Sequence, residues 1–204
     1  VVGSDIDNFS CPHCGSTDRE RHLFIYLSQP GLLQRISGGN VLHFAPERYL
    51  RLLIQAQQPQ QHVLADMYPN AADVQKIDMQ DIGFPNDYFD LVIANHVLEH
   101  VNDYQQAIRE LTRVLKPGGL AILQTPYSSI LPSTIVEESA SSLATREMLF
   151  GQSDHVRLYG TDIFTLISSA GLKYIGGNHQ TLHIQVDTDQ LGINPAEPFF
   201  LFEK

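Results

Sequence analysis

Two rhythms of apolar residues alternate along this chain. Short, nearly continuous runs fall at residues 40–44, 62–65, 74–77, 89–94 and 120–125, each long enough for one strand. Between them lie stripes with the 3.6-residue period of a helix buried on one side. The run at 89–94 carries scarcely a polar residue, as expected of a parallel strand covered on both faces. Leu50, Leu53 and Ile54 form one helical stripe within residues 47–57. Tyr104, Ala107, Ile108, Leu111, Val114 and Leu115 form the clearest one. Asn102 or Asp103 can cap its start, and Lys116-Pro117-Gly118-Gly119 supplies a cation, a breaker and glycines at its end.

Toward the carboxyl terminus a helix is predicted over 161–170, stopped by Gly171, with strand candidates at 172–175, 183–186 and 199–202. Strand alternating with helix predicts a parallel sheet layered by helices. At the other end, residues up to Ser16 read as irregular. Residues 19–36 are helical in character, with Leu23, Phe24 and Leu27 on one face, interrupted at Pro30-Gly31. Gly38-Gly39 reads as a turn, because no Lys-Ser/Thr follows to make a phosphate cradle. The expected division is residues 1–36, a Cys-x-x-Cys segment with a helix, and 37–204, the α/β domain. Residues 126–160 break the rhythm with no clean strand, apart from a short helix near 141–150. An excursion there follows the fifth strand, at the sheet edge where open α/β sheets bind ligands, so it is expected to cover a substrate. It carries apolar residues, serines and the acidic pair Glu137-Glu138.

Composition narrows the partners more than the fold. A net charge of −10 repels nucleic-acid backbones and anionic lipid, so no nucleic-acid partner is expected. No apolar run reaches the roughly 18–20 residues that span a bilayer, and no secretory pattern opens the chain. Its first residue, Val1, is expected of numbering that begins inside a longer gene product. The only cysteines, Cys11 and Cys14, cannot make a disulfide framework, which points to a reducing, cytoplasmic setting.

Residues 76–127 carry an ordered motif series: Asp78 with Ile82-Gly83-Phe84-Pro85, then Phe89-Asp90-Leu91-Val92, then Asn95-His96-Val97-Leu98-Glu99-His100-Val101. Glu110-Leu111 and Arg113-Val114-Leu115-Lys116-Pro117-Gly118-Gly119 complete it. In order and spacing this resembles the class I S-adenosylmethionine-dependent methyltransferases, within them the methyltransferase type 11 group. The resemblance implies a Rossmann-like α/β fold, a largely parallel seven-stranded sheet with helices on both faces, here with a short N-terminal Cys-x-x-Cys appendage. It implies S-adenosylmethionine as cofactor and a small-molecule methyl acceptor, with O-, N- and C-methylation all open. The family's first strand normally runs into an acidic residue and a Gly-x-Gly turn. Here Val41-Leu42-His43-Phe44-Ala45-Pro46-Glu47 contains no glycine. That departure motivates a competing reading, a non-catalytic binding or assembly module on the same fold.

Site residues follow from position and resemblance together. Asp66 closes the second strand, where a carboxylate offers two acceptors to ribose hydroxyls. By resemblance Asp78 would accept the adenine amino group and the backbone at Met79 would meet the ring. His43, Ala45, Pro46, Met67 and Asn95 complete the expected cofactor set. His96 follows the fourth strand, beside the expected sulfonium, and a histidine there suits proton removal from an acceptor. His155, Arg157 and Tyr159 sit in the dense run 150–160, which looks like the signature of a subfamily. His155 is a candidate base and Arg157 a candidate clamp for an anionic acceptor, against a hydrogen-bonded network that pins the excursion. Cys11 and Cys14 with His22 form a candidate zinc set, since a closed site wants four ligands and no second Cys pair exists. Buried or vestigial thiols and a redox pair are the alternatives.

Overall fold

The computed structural model describes residues 10–29, 31–136 and 142–204. Pro30 and the Glu137-Glu138 pair lie outside them. Among the described residues the first helix begins where Thr17 and Glu20 form a capping box, satisfying backbone donors that the first helical turn leaves open. The elements in chain order are α1 (Asp18–Leu27), α2 (Leu32–Ile36), β1 (Asn40–Phe44), α3 (Arg48–Ala56), β2 (Gln61–Asp66), β3 (Gln75–Lys76) and β4 (Phe89–Ala94). There follow α4 (Tyr104–Val114), β5 (Leu115–Ile122), α5 (Leu143–Phe150), α6 (Ile163–Ser168), β6 (Lys173–Tyr174), α7 (Thr188–Leu191) and β7 (Leu201–Glu203).

The seven strands form one sheet in the order β3-β2-β1-β4-β5-β7-β6. Pairing is parallel from β3 through β5, and β7 runs antiparallel to both its neighbours. Successive side chains of a strand face opposite sides of the sheet, and the central strands fill both. Leu42, Val92, Ala121 and Leu123 pack with Ile108 and Leu111 of α4 and Ile163 and Ile167 of α6. Val41, Leu91, Ile93, Leu120 and Ile122 pack on the other side, with Leu23 and Leu27 of α1, Ile36 of α2 and Leu50 and Ile54 of α3. The amino-terminal helices are thus built into the sheet's own core. No helix among the described residues is long and apolar enough to cross a membrane.

Three expectations shift. Residues 183–186 are not a strand. Asn178 and Thr181 bond each other to make a turn, and His183 enters the left-handed region at φ 54°. Leu182 and Ile184 then pack on the α1–α3 side, so apolar alternation there reflects packing of a loop. The last strand comes out as Leu201–Glu203. Strand β5 starts earlier than expected, at Leu115, directly where α4 ends; the register breaks between Phe89 and Leu91, and Gly118 at φ 73° turns the chain there. The excursion does contain its helix, α5, capped by Ser142 on the Thr145 N–H. Its two arms are pinned together by bridges Tyr127–Tyr159 and Ile135–Leu158.

Candidate functional site

Strand β1 lies between β2 and β4, so chain connections leave it toward opposite flanks and open a crevice at the carboxyl ends. A cavity of about 560 Å³ occupies that crevice. Four strand ends line it: Phe44 and Ala45 after β1, Asp66, Met67 and Tyr68 after β2, Ile77, Asp78, Met79 and Gln80 after β3, and His96, Val97, His100, Val101 and Asn102 after β4. The excursion contributes Asp154. A second cavity of about 620 Å³ adjoins it, sharing Ala45 and Asp66 and bounded by Pro46, Arg48 and Arg51. Of the expected cofactor residues, Ala45, Asp66, Met67, Asp78 and Met79 therefore meet at one cavity. Pro46 faces the neighbouring one.

The glycine-free turn is shaped by a partly buried polar group. Ala45 adopts φ 45°, the left-handed conformation usually left to glycine, and its N–H bonds the Ala65 carbonyl at 2.9 Å. Glu47 holds the turn from behind. One carboxylate oxygen accepts from His43 Nε2 at 2.7 Å and the other from Asn95 Nδ2 at 3.0 Å. Burial alone would raise the Glu47 carboxyl, but the hydrogen bonds and charge of His43 and the Asn95 amide hold it below the usual range. His43 and Asn95, expected to touch the cofactor, are buried and absent from the cavity wall. They join β1 to β4 through Glu47. Nothing in the linear spacing marks Glu47, because its partners converge only once the two strands are paired.

Asp66 is partly exposed, with Oδ1 accepting the Tyr68 N–H at 2.8 Å. That bond fixes the carboxylate while one oxygen keeps its acceptor sites. Asp78 is fixed likewise by the Gln80 N–H at 2.8 Å. His96 stands at φ 53°, and neither ring nitrogen has a hydrogen-bond partner. Its Nδ1 lies 3.5 Å from Glu99 Oε1. Burial opposes ionisation of Glu99, yet the adjacent His96 and His100 outweigh it and keep that carboxyl low.

The run 150–160 resolves differently from its appearance. Arg157 is buried, its NH1 donating to the carbonyls of Leu98, at 2.7 Å, and Val101, and its NH2 to Asn102 at 2.7 Å. Its guanidinium lies 4.9 Å from the Tyr104 ring centroid. Tyr159 is buried too and donates to the Leu98 carbonyl at 3.2 Å. Neither reaches the cavity, which corrects their expected contact with the acceptor: a guanidinium committed to three backbone carbonyls is not available to clamp an anion. His155 is buried against the ring of His100, centroids 4.9 Å apart, with Nδ1 donating to the Phe150 carbonyl. Burial pushes its pKa down.

The structure does not bring His22 to the cysteines. Its Nε2 meets His179 Nε2 at 2.8 Å and its Nδ1 faces Glu197 at 3.4 Å, so both nitrogens are engaged behind the sheet. Cys14 is exposed, its thiol drawn down to about 7 by the Ser16 hydroxyl, the Ser16 backbone and Cys11. Among the described residues the group placed to hold a metal is instead Glu99, His100 and His155.

Sheet order and crevice together define a Rossmann-like α/β scaffold with a ligand-sized cavity beside β1. Residues 34–123 match the family described as "Methyltransferase domain". An S-adenosylmethionine-dependent methyltransferase from Mesorhizobium loti superposes with a TM-score of 0.60 at 11% identity, covering 93% of this chain and 99% of that one. A counterpart from Archaeoglobus fulgidus superposes at 0.59 with 14% identity, over 90% and 94%. A 2-phytyl-1,4-naphtoquinone methyltransferase of Synechococcus elongatus is 40% identical over 62 residues, 29% of this chain and 27% of that protein. The chain thus spans about a quarter of the length of that relative. The motif match over residues 34–123 and the superpositions make the chain similar to methyltransferase domains in sequence and in fold.

Proposed function

We propose that the chain transfers a methyl group from S-adenosylmethionine to a small-molecule acceptor. One observation carries the reading: Ala45, Asp66, Asp78 and Met79 converge on a single cavity, of a size ordinary for ligand sites. The residues fit the cofactor. Ala45 takes the left-handed backbone conformation that a glycine would take, so the glycine-free turn gives little support to a non-catalytic module. Asp66 would accept the ribose hydroxyls, and Asp78 with the Met79 backbone would bind the adenine. When bound, S-adenosylmethionine supplies an electrophilic methyl group on a sulfonium.

The chain's own groups do the rest by orientation and proton handling. His96, held near Glu99 and free at its ring nitrogens, would take the acceptor's proton. Arg157 and Tyr159 are positioning residues, acting through the loop that carries His96. The printed names of the relatives, a naphthoquinone methyltransferase and a quinone-biosynthesis C-methyltransferase, support a small organic acceptor and leave carbon as well as oxygen open as the methylated atom.

Replacing His96 with Gln tests the assignment. Turnover, read as release of S-adenosylhomocysteine across a panel of acceptors, is expected to fall about 100-fold or more with cofactor affinity little changed. Equal loss of both, or loss of neither, would remove His96 from the chemistry. Absence of turnover in the unaltered protein on the whole panel, with cofactor bound, would favour the binding module.

A further inference from the structure

Glu99 presents an unresolved electrostatic problem. Its side chain is 2% exposed, and Oε2 has no hydrogen-bond partner, although Oε1 lies near His96. A buried carboxylate oxygen without a partner is costly, and what lies beside it is informative. His100 and His155 each bring one donor atom, and the three donors lie within 4.8 Å of one another.

The two imidazoles are arranged as ligands are. His155 Nδ1 donates to the Phe150 carbonyl at 3.2 Å, and His100 Nδ1 to the Asp154 carbonyl at 3.3 Å. In each ring that bond leaves the lone pair on Nε2, the support from behind that metal-ligating histidines usually have. The third ligand arrives from distant sequence and is braced there. Val156 N–H bonds the Glu99 carbonyl at 3.0 Å, and Arg157 ties the run to the carbonyls of Leu98, Val101 and Asn102. Donors of a tetrahedral ion lie roughly 3.3 Å apart, so small side-chain rotations would close the set.

We propose that Glu99, His100 and His155 bind one divalent transition-metal ion at the wall of the cavity, where it holds an acidic hydroxyl oxygen of the methyl acceptor. Two imidazoles and a carboxylate suit zinc or a neighbouring first-row ion and leave a coordination position open. His100 and Asp154 line the cavity, so the open position would face the acceptor. A hydroxyl bound to such an ion gives up its proton more readily, here to His96 on the same cavity wall, and stays as an oxyanion. The acceptor half of this inference rests on the methyl-transfer reading; the ion half does not.

The test is to strip the full chain with chelator, dialyse it against zinc and count bound metal by plasma mass spectrometry. Expected is about one equivalent in the unaltered protein and in the Cys11→Ser/Cys14→Ser double variant. His100→Ala, at a half-exposed position, should fall below about 0.1 equivalents with an unchanged circular dichroism spectrum. A readout independent of any variant is the cobalt-loaded protein, whose spectrum should lack a thiolate-to-cobalt charge-transfer band. Occupancy below about 0.1 equivalents in the unaltered protein, occupancy unaffected by His100→Ala, or a thiolate band would overturn the ion site. Stripping should also abolish turnover of phenol or enol acceptors while leaving cofactor affinity unchanged; undiminished turnover overturns the acceptor role alone. Metal binding by a protein with no affinity for S-adenosylmethionine would uphold the ion site and retire the methyl-transfer reading.

Discussion

The turn after β1 and the run 150–160 show how differently polar residues serve one crevice. In the turn a single half-hidden carboxylate, Glu47, joins His43 and Asn95 across two strands and holds Ala45 in a conformation its side chain disfavours. In the run, Arg157 and Tyr159 look like chemistry and turn out to be braces. Both regions fix a loop from behind through buried hydrogen bonds. They differ in what they free: the first leaves a cavity beside Ala45, and the second presents His155 beside Glu99 and His100. A charged group's use is set by whether its donors are already satisfied.

Removing the Arg157 brace should have the largest effect. Arg157→Met should lower stability by about 3 kcal/mol or more, because three buried carbonyls lose charge-assisted partners; a melting-temperature drop small enough to mean under about 1 kcal/mol would contradict the role. Next in size, Glu47→Ala is expected to cost about 2 kcal/mol and also to weaken S-adenosylmethionine binding, read by calorimetry. Loss of stability without loss of affinity would separate the turn from the cofactor.

A pH effect comes third. Burial, with the charges of His43 and Arg51, draws His62 down to about 4. Its folded pKa lies below the unfolded value of about 6.5, so the unfolded chain takes up a proton that the folded one refuses. Stability from this group is intact above about pH 6.5 and falls as the pH drops toward 4. His62→Gln should flatten the melting-temperature profile in that window; an unchanged slope would show that His155 and His179, also drawn down by burial, dominate it. The smallest effect is expected of Ala45→Gly. Relief of a left-handed alanine is worth about 1 kcal/mol and is offset by the greater freedom of the unfolded glycine chain, so stability should move by under about 1 kcal/mol and cofactor affinity should hold.

Periodicity made most of the fold legible. The stripe from Tyr104 to Leu115 and the apolar runs of β1, β2 and β4 depend on burial alone, which local sequence encodes. Position at strand ends likewise predicts that Asp66, Asp78 and Met79 share one crevice, and all three line its cavity. What escaped depended on pairings between distant segments. Glu47 acquires meaning only when β1 lies against β4, and Arg157 only when residues 98–102 curl around it. His43 lies close to the turn in sequence, yet its side chain is buried and bonds Glu47. Glu99 and His100 sit in a visible motif, but their juxtaposition with His155 is a property of the folded chain.

In the proposed reading the crevice beside β1 holds S-adenosylmethionine through Asp66. Calorimetric titration of the unaltered protein and of Asp66→Ala tests it most directly. One-site binding that weakens about 10-fold or more in the variant, with an unchanged melting temperature, is the predicted result. No heat from the unaltered protein at millimolar cofactor, or equal affinity in the two, would contradict it.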